Sequence, residues 1–210
     1  MKQRVFNLII LDESGSMSRI ERQAIDGVNE TIQTIRDAQQ KHDDQEHFLT
    51  LVSFNSCSIT PIYENEDIGK VEELSCDKYI PSCGTPLYDA MGDALTKLRK
   101  NVTDADVVLV TIITDGYENA SREYTQASIK ALVDDLKKHD WVFTYIGANQ
   151  NVEQVAATIS VTNALSWTSD GAGTKAMFAK EAKCRTRFFD RLRFGHKGIV
   201  GNYFDEEDDD

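Results

Sequence analysis

The seven residues Val107 to Ile113 read Val-Val-Leu-Val-Thr-Ile-Ile. A run this short, apolar and β-branched is the pattern of a strand covered on both faces, which is found in parallel sheets flanked by helices. That one strand constrains its surroundings, because parallel neighbours cannot be joined by a tight turn and need long crossovers, usually helical. The sequence supplies them. Val5–Leu11 reads as a second buried strand, interrupted only by Asn7. Ile20, Ala24, Ile25, Val28, Ile32, Ile35 and Ala38 then recur at the spacing of an amphipathic helix, with Ser18 and Glu21 predicting a capping box at its start. Phe48–Phe54 is the next strand. Asn55-Ser56 is a turn, and Ser58–Tyr63 a short strand folding back on it.

Glu64 to Gly84 is polar with weak periodicity and reads as loop. Thr85-Pro86 opens a helix with Leu87, Met91, Leu95 and Leu98 on one face, Pro86 taking the first helical position. Further on come a helix near Thr125–His139, a strand at Trp141–Ile146, a short helix at Val152–Ile159, a short strand at Asn163–Trp167 and a last helix at Thr174–Arg193. Gly171-Ala172-Gly173-Thr174-Lys175 lacks the spacing of a phosphate loop and reads as the start of that helix. The predicted fold class is α/β: a doubly wound, mostly parallel central sheet of about six strands, one short antiparallel edge strand, and helices on both faces.

The chain has 210 residues. Residues 1–197 are expected to form one domain and 198–210 an acidic, disordered tail. The net charge of −12 speaks against binding nucleic acid or an anionic membrane through the whole surface. The charge is unevenly spread. Asp205–Asp210 are all acidic, whereas Lys175–Lys197 holds eight Lys and Arg against Glu181 and Asp190. Phe178, Phe188, Phe189 and Leu192 in this basic segment are expected to pack on the sheet. Met1-Lys2-Gln3-Arg4 runs straight into the first strand without the features of a secretory signal, and no run reaches the ~18 apolar residues of a membrane span. Cys57, Cys76, Cys83 and Cys184 form no Cys-x-x-Cys pair, and the four histidines have no ligand spacing. The expectation is a cytoplasmic protein with free thiols, although Cys76 and Cys83 can approach each other in a loop.

Ligand sites in such folds lie beyond the carboxyl ends of the strands, where the strand order reverses. Two strands end in an aspartate there: Val5–Leu11 runs into Asp12-Glu13-Ser14-Gly15-Ser16, and Val107–Ile113 into Thr114-Asp115-Gly116. If the strands are neighbours, Asp12 and Asp115 face one crevice, and a cation relieves their repulsion. Ser14 and Ser16 add hydroxyls two and four residues after Asp12, and Thr85 adds another at the head of its helix. Hard oxygens without imidazole or thiolate select Mg²⁺, with Mn²⁺ or Ca²⁺ as further candidates. Only two of these ligands carry charge, so the metal stays electrophilic toward an incoming carboxylate. Taken singly, each segment also reads as a turn or helix cap.

Together the three segments resemble the von Willebrand factor A (vWA) domain and its metal-ion-dependent adhesion site (MIDAS). The family's Asp-x-Ser-x-Ser appears as Asp12 to Ser16, its threonine in Cys83-Gly84-Thr85-Pro86, and its second aspartate in Thr114-Asp115-Gly116. The resemblance covers about residues 4–195. It implies that Asp12, Ser14 and Ser16 coordinate Mg²⁺ directly or through water, that Thr85 joins when a ligand is engaged, and that Asp115 acts through water. It also implies a protein partner whose Asp or Glu carboxylate completes the coordination, without catalysis. The compact form is similar to intracellular bacterial stand-alone members.

An enzyme of haloacid-dehalogenase type, with Asp12 as nucleophile of a Mg²⁺-dependent phosphotransferase or phosphatase, is the alternative. Such enzymes need a second acid two residues on, where this chain has Ser14. The acidic tail suggests self-association, its carboxylates reaching a neighbour's metal position or its own.

Overall fold

The computed structural model describes residues 2–148, 151–195 and 203–205. Six strands, β1 (Gln3–Asp12), β2 (Gln45–Asn55), β3 (Ser58–Asp67), β4 (Val107–Thr114), β5 (Val142–Ala148) and β6 (Asn163–Trp167), form one sheet in the order β3-β2-β1-β4-β5-β6. All pairs are parallel except β2–β3. From β1 the chain crosses to β2 on one side and later returns to place β4 on the other. The reversal of strand order therefore falls between β1 and β4, which pair from Val5↔Val107 to Leu11↔Ile113.

Five helices cover the sheet: α1 (Glu21–Lys41), α2 (Leu87–Arg99), α3 (Gln126–Lys137), α4 (Val152–Thr158) and α5 (Gly171–Leu192). Alternation along the strands divides the core in two. Val5, Ile9 and Leu11 of β1 face the layer of α1 and α5, whereas Phe6, Leu8 and Ile10 face that of α2, α3 and α4. Helices α1 and α5 approach closely at Gly27, where a Cβ would fall 2.0 Å from the Phe178 ring.

Several local expectations give way to tertiary contacts. No capping box forms at Ser18: a 3₁₀ turn, Gly15–Ile20, precedes α1, and the Ser18 hydroxyl donates to the Gly15 carbonyl at 2.8 Å. Pro86 sits at the N-cap of α2, one position before the helix. The antiparallel strand β3 runs on to Asp67, passing two register shifts against β2 near Leu51. Gly171 opens α5, and the Asp170 side chain accepts from the Gly173 amide at 2.7 Å, so this glycine segment is a capped helix start. Within the segment expected to be tail, Tyr203 and Phe204 are buried, and the Tyr203 amide donates to Asn163 Oδ1 at 3.0 Å. The self-association expectation falls on Asp205–Asp210, of which residues 206–210 lie outside the described residues.

The basic segment also holds a buried charge. Phe178, Phe188 and Phe189 pack inward as expected, but so does Arg185, with no exposed surface. Its guanidinium donates to Glu181 Oε1 at 2.8 Å, to Asn7 Oδ1 of β1 at 3.0 Å and to Thr111 Oγ1 of β4 at 2.8 Å. Asn7 and Thr111, the polar interruptions of the two central strands, are thus its acceptors. Removing one member of a buried pair strands the other's charge, whereas replacing both with apolar groups is often tolerated. Arg185→Met should therefore cost about 3–5 kcal/mol in urea unfolding, and Arg185→Met combined with Glu181→Met much less.

Candidate metal centre

Strands β1 and β4 end side by side, so Asp12 and Asp115 converge at the carboxyl edge of the sheet. Asp12 is fully buried and held at both oxygens: Oδ1 accepts from the Ser14 amide at 2.7 Å and Oδ2 from the Thr114 hydroxyl at 2.6 Å. Burial pushes its pKa up to about 6, and the charge of Asp115 adds to this, while the bonds from Thr114 and Ser14 pull the other way. Past Asp12 the chain enters the 3₁₀ turn, which leaves the Ser14 and Ser16 hydroxyls 3.2 Å apart. Ser16 donates to Asp115 Oδ1, and Ser169, between β6 and α5, donates to Oδ2 at 3.2 Å. Thr85 closes the ring. A Cβ on Gly116 would meet its Oγ1 at 3.6 Å and that of Ser16 at 3.7 Å, so both hydroxyls flank the Gly116 backbone. Asp12, Ser14, Ser16, Thr85 and Asp115 thus meet in one crevice.

The side chains that hold this arrangement are not among the site residues singled out in the sequence. Glu13 Oε1 accepts from the Ile80 amide at 2.6 Å, its carbonyl accepts from the Ser82 amide, and the Tyr79 hydroxyl donates to the Asp12 carbonyl at 2.6 Å. On the other side, Asn119 Oδ1 accepts from the Thr85 amide at 2.9 Å. The first amides of α2, left without partners inside the helix, reach instead to the loop after β4: Tyr88 donates to Glu118 Oε2 and Asp89 to Ser121 Oγ. Asp89 in turn accepts from the amides of Arg122, Glu123 and Tyr124. An acid in the first turn of a helix was the one available hint, since it also suits the helix dipole.

The expectation of free thiols fails for two cysteines. Cys57, in the β2–β3 turn, forms a disulfide with Cys83, two residues before Thr85, with Cα atoms 6.4 Å apart. The partner of Cys83 is therefore not Cys76, which is free and exposed; Cys184 is free and buried. A separation of 26 residues gives no local sign of this pairing, which depends on how the long loop folds over the sheet edge. The Cys83 carbonyl also accepts from the Gly15 amide at 3.1 Å, so the bridge and the serine turn share a wall.

Two carboxylates and three hydroxyls form a hard, oxygen-only donor set. Among the described residues no three of His, Cys, Asp and Glu gather at a point, so no zinc-like cluster competes with it. The set fits a small divalent cation, whose charge would offset the burial and the neighbouring carboxylate that hold the Asp12 pKa high. Asp12, Ser14, Ser16, Thr85 and Asp115 are the residues that would hold it.

The same architecture recurs in solved structures. Proximal thread matrix protein 1 from the mussel byssus, with a zinc-occupied MIDAS motif, superposes with a TM-score of 0.56 at 17% identity, covering 88% of this chain and 46% of that one. The vWF domain of a type V pili tip protein from Porphyromonas gingivalis gives 0.59 at 11%, covering 96% and 99%. Manganese-loaded TRAP protein from Plasmodium vivax gives 0.52 at 17%, covering 83% and 72%. The chain spans about half the length of the mussel protein. No family model matches the sequence, and no curated protein does. The chain therefore has a vWA-type fold.

Two outcomes are expected. A divalent cation must displace the proton of Asp12, so Mn²⁺ affinity measured by titration calorimetry should be level above pH 7 and about tenfold weaker at pH 5. Without cation the sign reverses. A carboxyl whose folded pKa lies above its unfolded value makes the fold less stable as pH rises from about 4 to 6. Cys57→Ser should lower stability by about 2–4 kcal/mol in urea unfolding, the usual worth of a disulfide. It should also weaken Mn²⁺ binding, because the Thr85 loop loses its tether.

Proposed function

We propose that this chain is a metal-dependent protein-interaction module. Asp12, Ser14, Ser16, Thr85 and Asp115 hold a divalent cation, Mg²⁺ in the cell, and the cation binds an Asp or Glu carboxylate of a protein partner. The observation that carries this reading is the pairing of two buried carboxylates with three hydroxyls at the reversal of strand order. The metal-bearing neighbours support it, since one is solved with zinc in its MIDAS motif and another with manganese.

Geometry favours binding over catalysis. Both oxygens of Asp12 are engaged by Thr114 and Ser14, and Ser14 stands where a phosphotransferase would need its acid. Metal held by few charges keeps the Lewis acidity that a carboxylate ligand needs. A cytoplasmic location is part of the proposal. In that compartment the thiol pool would hold Cys57 and Cys83 reduced except under oxidation.

The test is Mg²⁺ titration of the chain and of Asp12→Ala, followed by capture of partners in Mg²⁺ and in EDTA. The wild type should bind one cation and Asp12→Ala none, and partners should be lost both in EDTA and in the variant. Capture that survives both treatments, or phosphatase turnover that disappears in Asp12→Asn, would refute the reading.

A further inference from the structure

Arg19 stands in the 3₁₀ turn just beyond the serines, with Nη2 3.7 Å from Asp115 Oδ2 and its side chain 66% exposed. The pair is long and its guanidinium stays in solvent, so it contributes little to folding although the Asp115 carboxylate is buried. It sets a guanidinium beside the carboxylate that a bound cation would also draw on. Two positive centres around one carboxylate compete for it, yet both attract a carboxylate arriving from outside. A guanidinium adds a planar fork of donors matched to the carboxylate group.

Apolar groups stand on the loops that border the same crevice. Among the described residues three large apolar side chains are exposed: Ile80, Tyr117 and Phe194. Phe194 lies just past the end of α5. The other two sit on the loops that build the crevice. Ile80 lies on the loop tied to the end of β1, and Tyr117 on the loop leaving β4. Both are 55% or more exposed although their backbones are fixed: the Ile80 amide donates to Glu13, Tyr79 beside it is fully buried, and Glu118 and Asn119 tie the Tyr117 loop to Tyr88 of α2 and to Thr85 just before it. Apolar side chains presented on pinned loops lose little entropy on binding, and Tyr and Arg are common anchors of interfaces.

We infer that Arg19, Ile80 and Tyr117 make the crevice a receptor for a protein segment in which an Asp or Glu stands beside a large apolar residue, the acid shared between the cation and Arg19. This rests on the metal-dependent reading above and adds to it the kind of partner. Arg19 thereby acts in two opposite senses: it opposes the cation through Asp115 and assists the carboxylate.

The opposed signs make the test. Fluorescent nine-residue peptides carry a central Asp flanked by leucines, the same Asp flanked by serines, or a central Asn flanked by leucines, and are titrated in Mg²⁺ and in EDTA. Mn²⁺ affinity is measured in parallel by calorimetry. The leucine-flanked Asp peptide should bind in Mg²⁺ about tenfold more tightly than the serine-flanked one and not in EDTA. Arg19→Gln should tighten Mn²⁺ yet weaken that peptide by about tenfold, the worth of a charge-assisted hydrogen bond. Ile80→Ser and Tyr117→Ser should erase the leucine preference and leave Mn²⁺ affinity unchanged, which also shows that they fold. Equal binding of the leucine- and serine-flanked peptides, or an Arg19→Gln effect of the same sign on metal and peptide, overturns this inference and leaves the metal-dependent reading standing. Failure of the wild type to bind Mn²⁺, or to bind any Asp peptide in Mg²⁺, overturns both.

Discussion

The burial of two acids, Asp12 and Asp115, at one edge of the sheet organises this end of the molecule. Adjacent parallel strands end in the two acids, and the register from Val5↔Val107 to Leu11↔Ile113 brings them into one crevice. Polar groups on the surrounding loops answer that burial. Thr114 and the Ser14 amide take the Asp12 oxygens, Ser16 and Ser169 take those of Asp115, and the Arg19 guanidinium stands 3.7 Å from Asp115 Oδ2. These neutral donors do not make good the solvation that burial removes, and Asp12 remains a weaker acid than an exposed aspartate. The loops that carry the donors are braced in turn by Glu13, Asn119, Glu118 and Asp89.

The parts legible in the sequence follow from local pattern. A nearly all-aliphatic run such as Val107–Ile113 marks a strand covered on both faces, and three-to-four spacing from Ile20 to Ala38 marks a helix. Together they foretold a doubly wound sheet with one antiparallel edge. Asp12, Ser14, Ser16, Thr85 and Asp115 could be placed in one crevice because they follow strand ends or open a helix. The parts that were hidden depend on side chains meeting across the fold. Arg185 lies in a basic stretch that reads as solvated surface, and only the polar positions Asn7 and Thr111, far away in sequence, explain why it turns inward. The Ser18–Glu21 pattern matches a capping box, yet the serine turn winds into a 3₁₀ segment in which the Ser18 hydroxyl donates to the Gly15 carbonyl instead.

The disulfide shows the same dependence on long-range structure. Cys57 and Cys83 are 26 residues apart, on a hairpin turn and a loop that only the finished sheet edge brings together. The polar stretch between β3 and α2 has little periodicity of its own, so it takes its shape from its ties: Tyr79 under Asp12, Ile80 on Glu13, Cys83 against Gly15, and the bridge to Cys57. Thr85 inherits its place from that chain of contacts.

A crevice with only two carboxylates among its donors has a thermodynamic consequence. On the proposed reading, the positive charge that attracts a partner is borrowed from solution, and a carboxylate ligand supplies one more bond to the ion. Linkage then makes the two reciprocal: whatever factor the cation adds to partner affinity, the partner adds to cation affinity. The attachment would be a three-body equilibrium, with the ion as its shared currency and its free concentration setting how long two proteins stay joined.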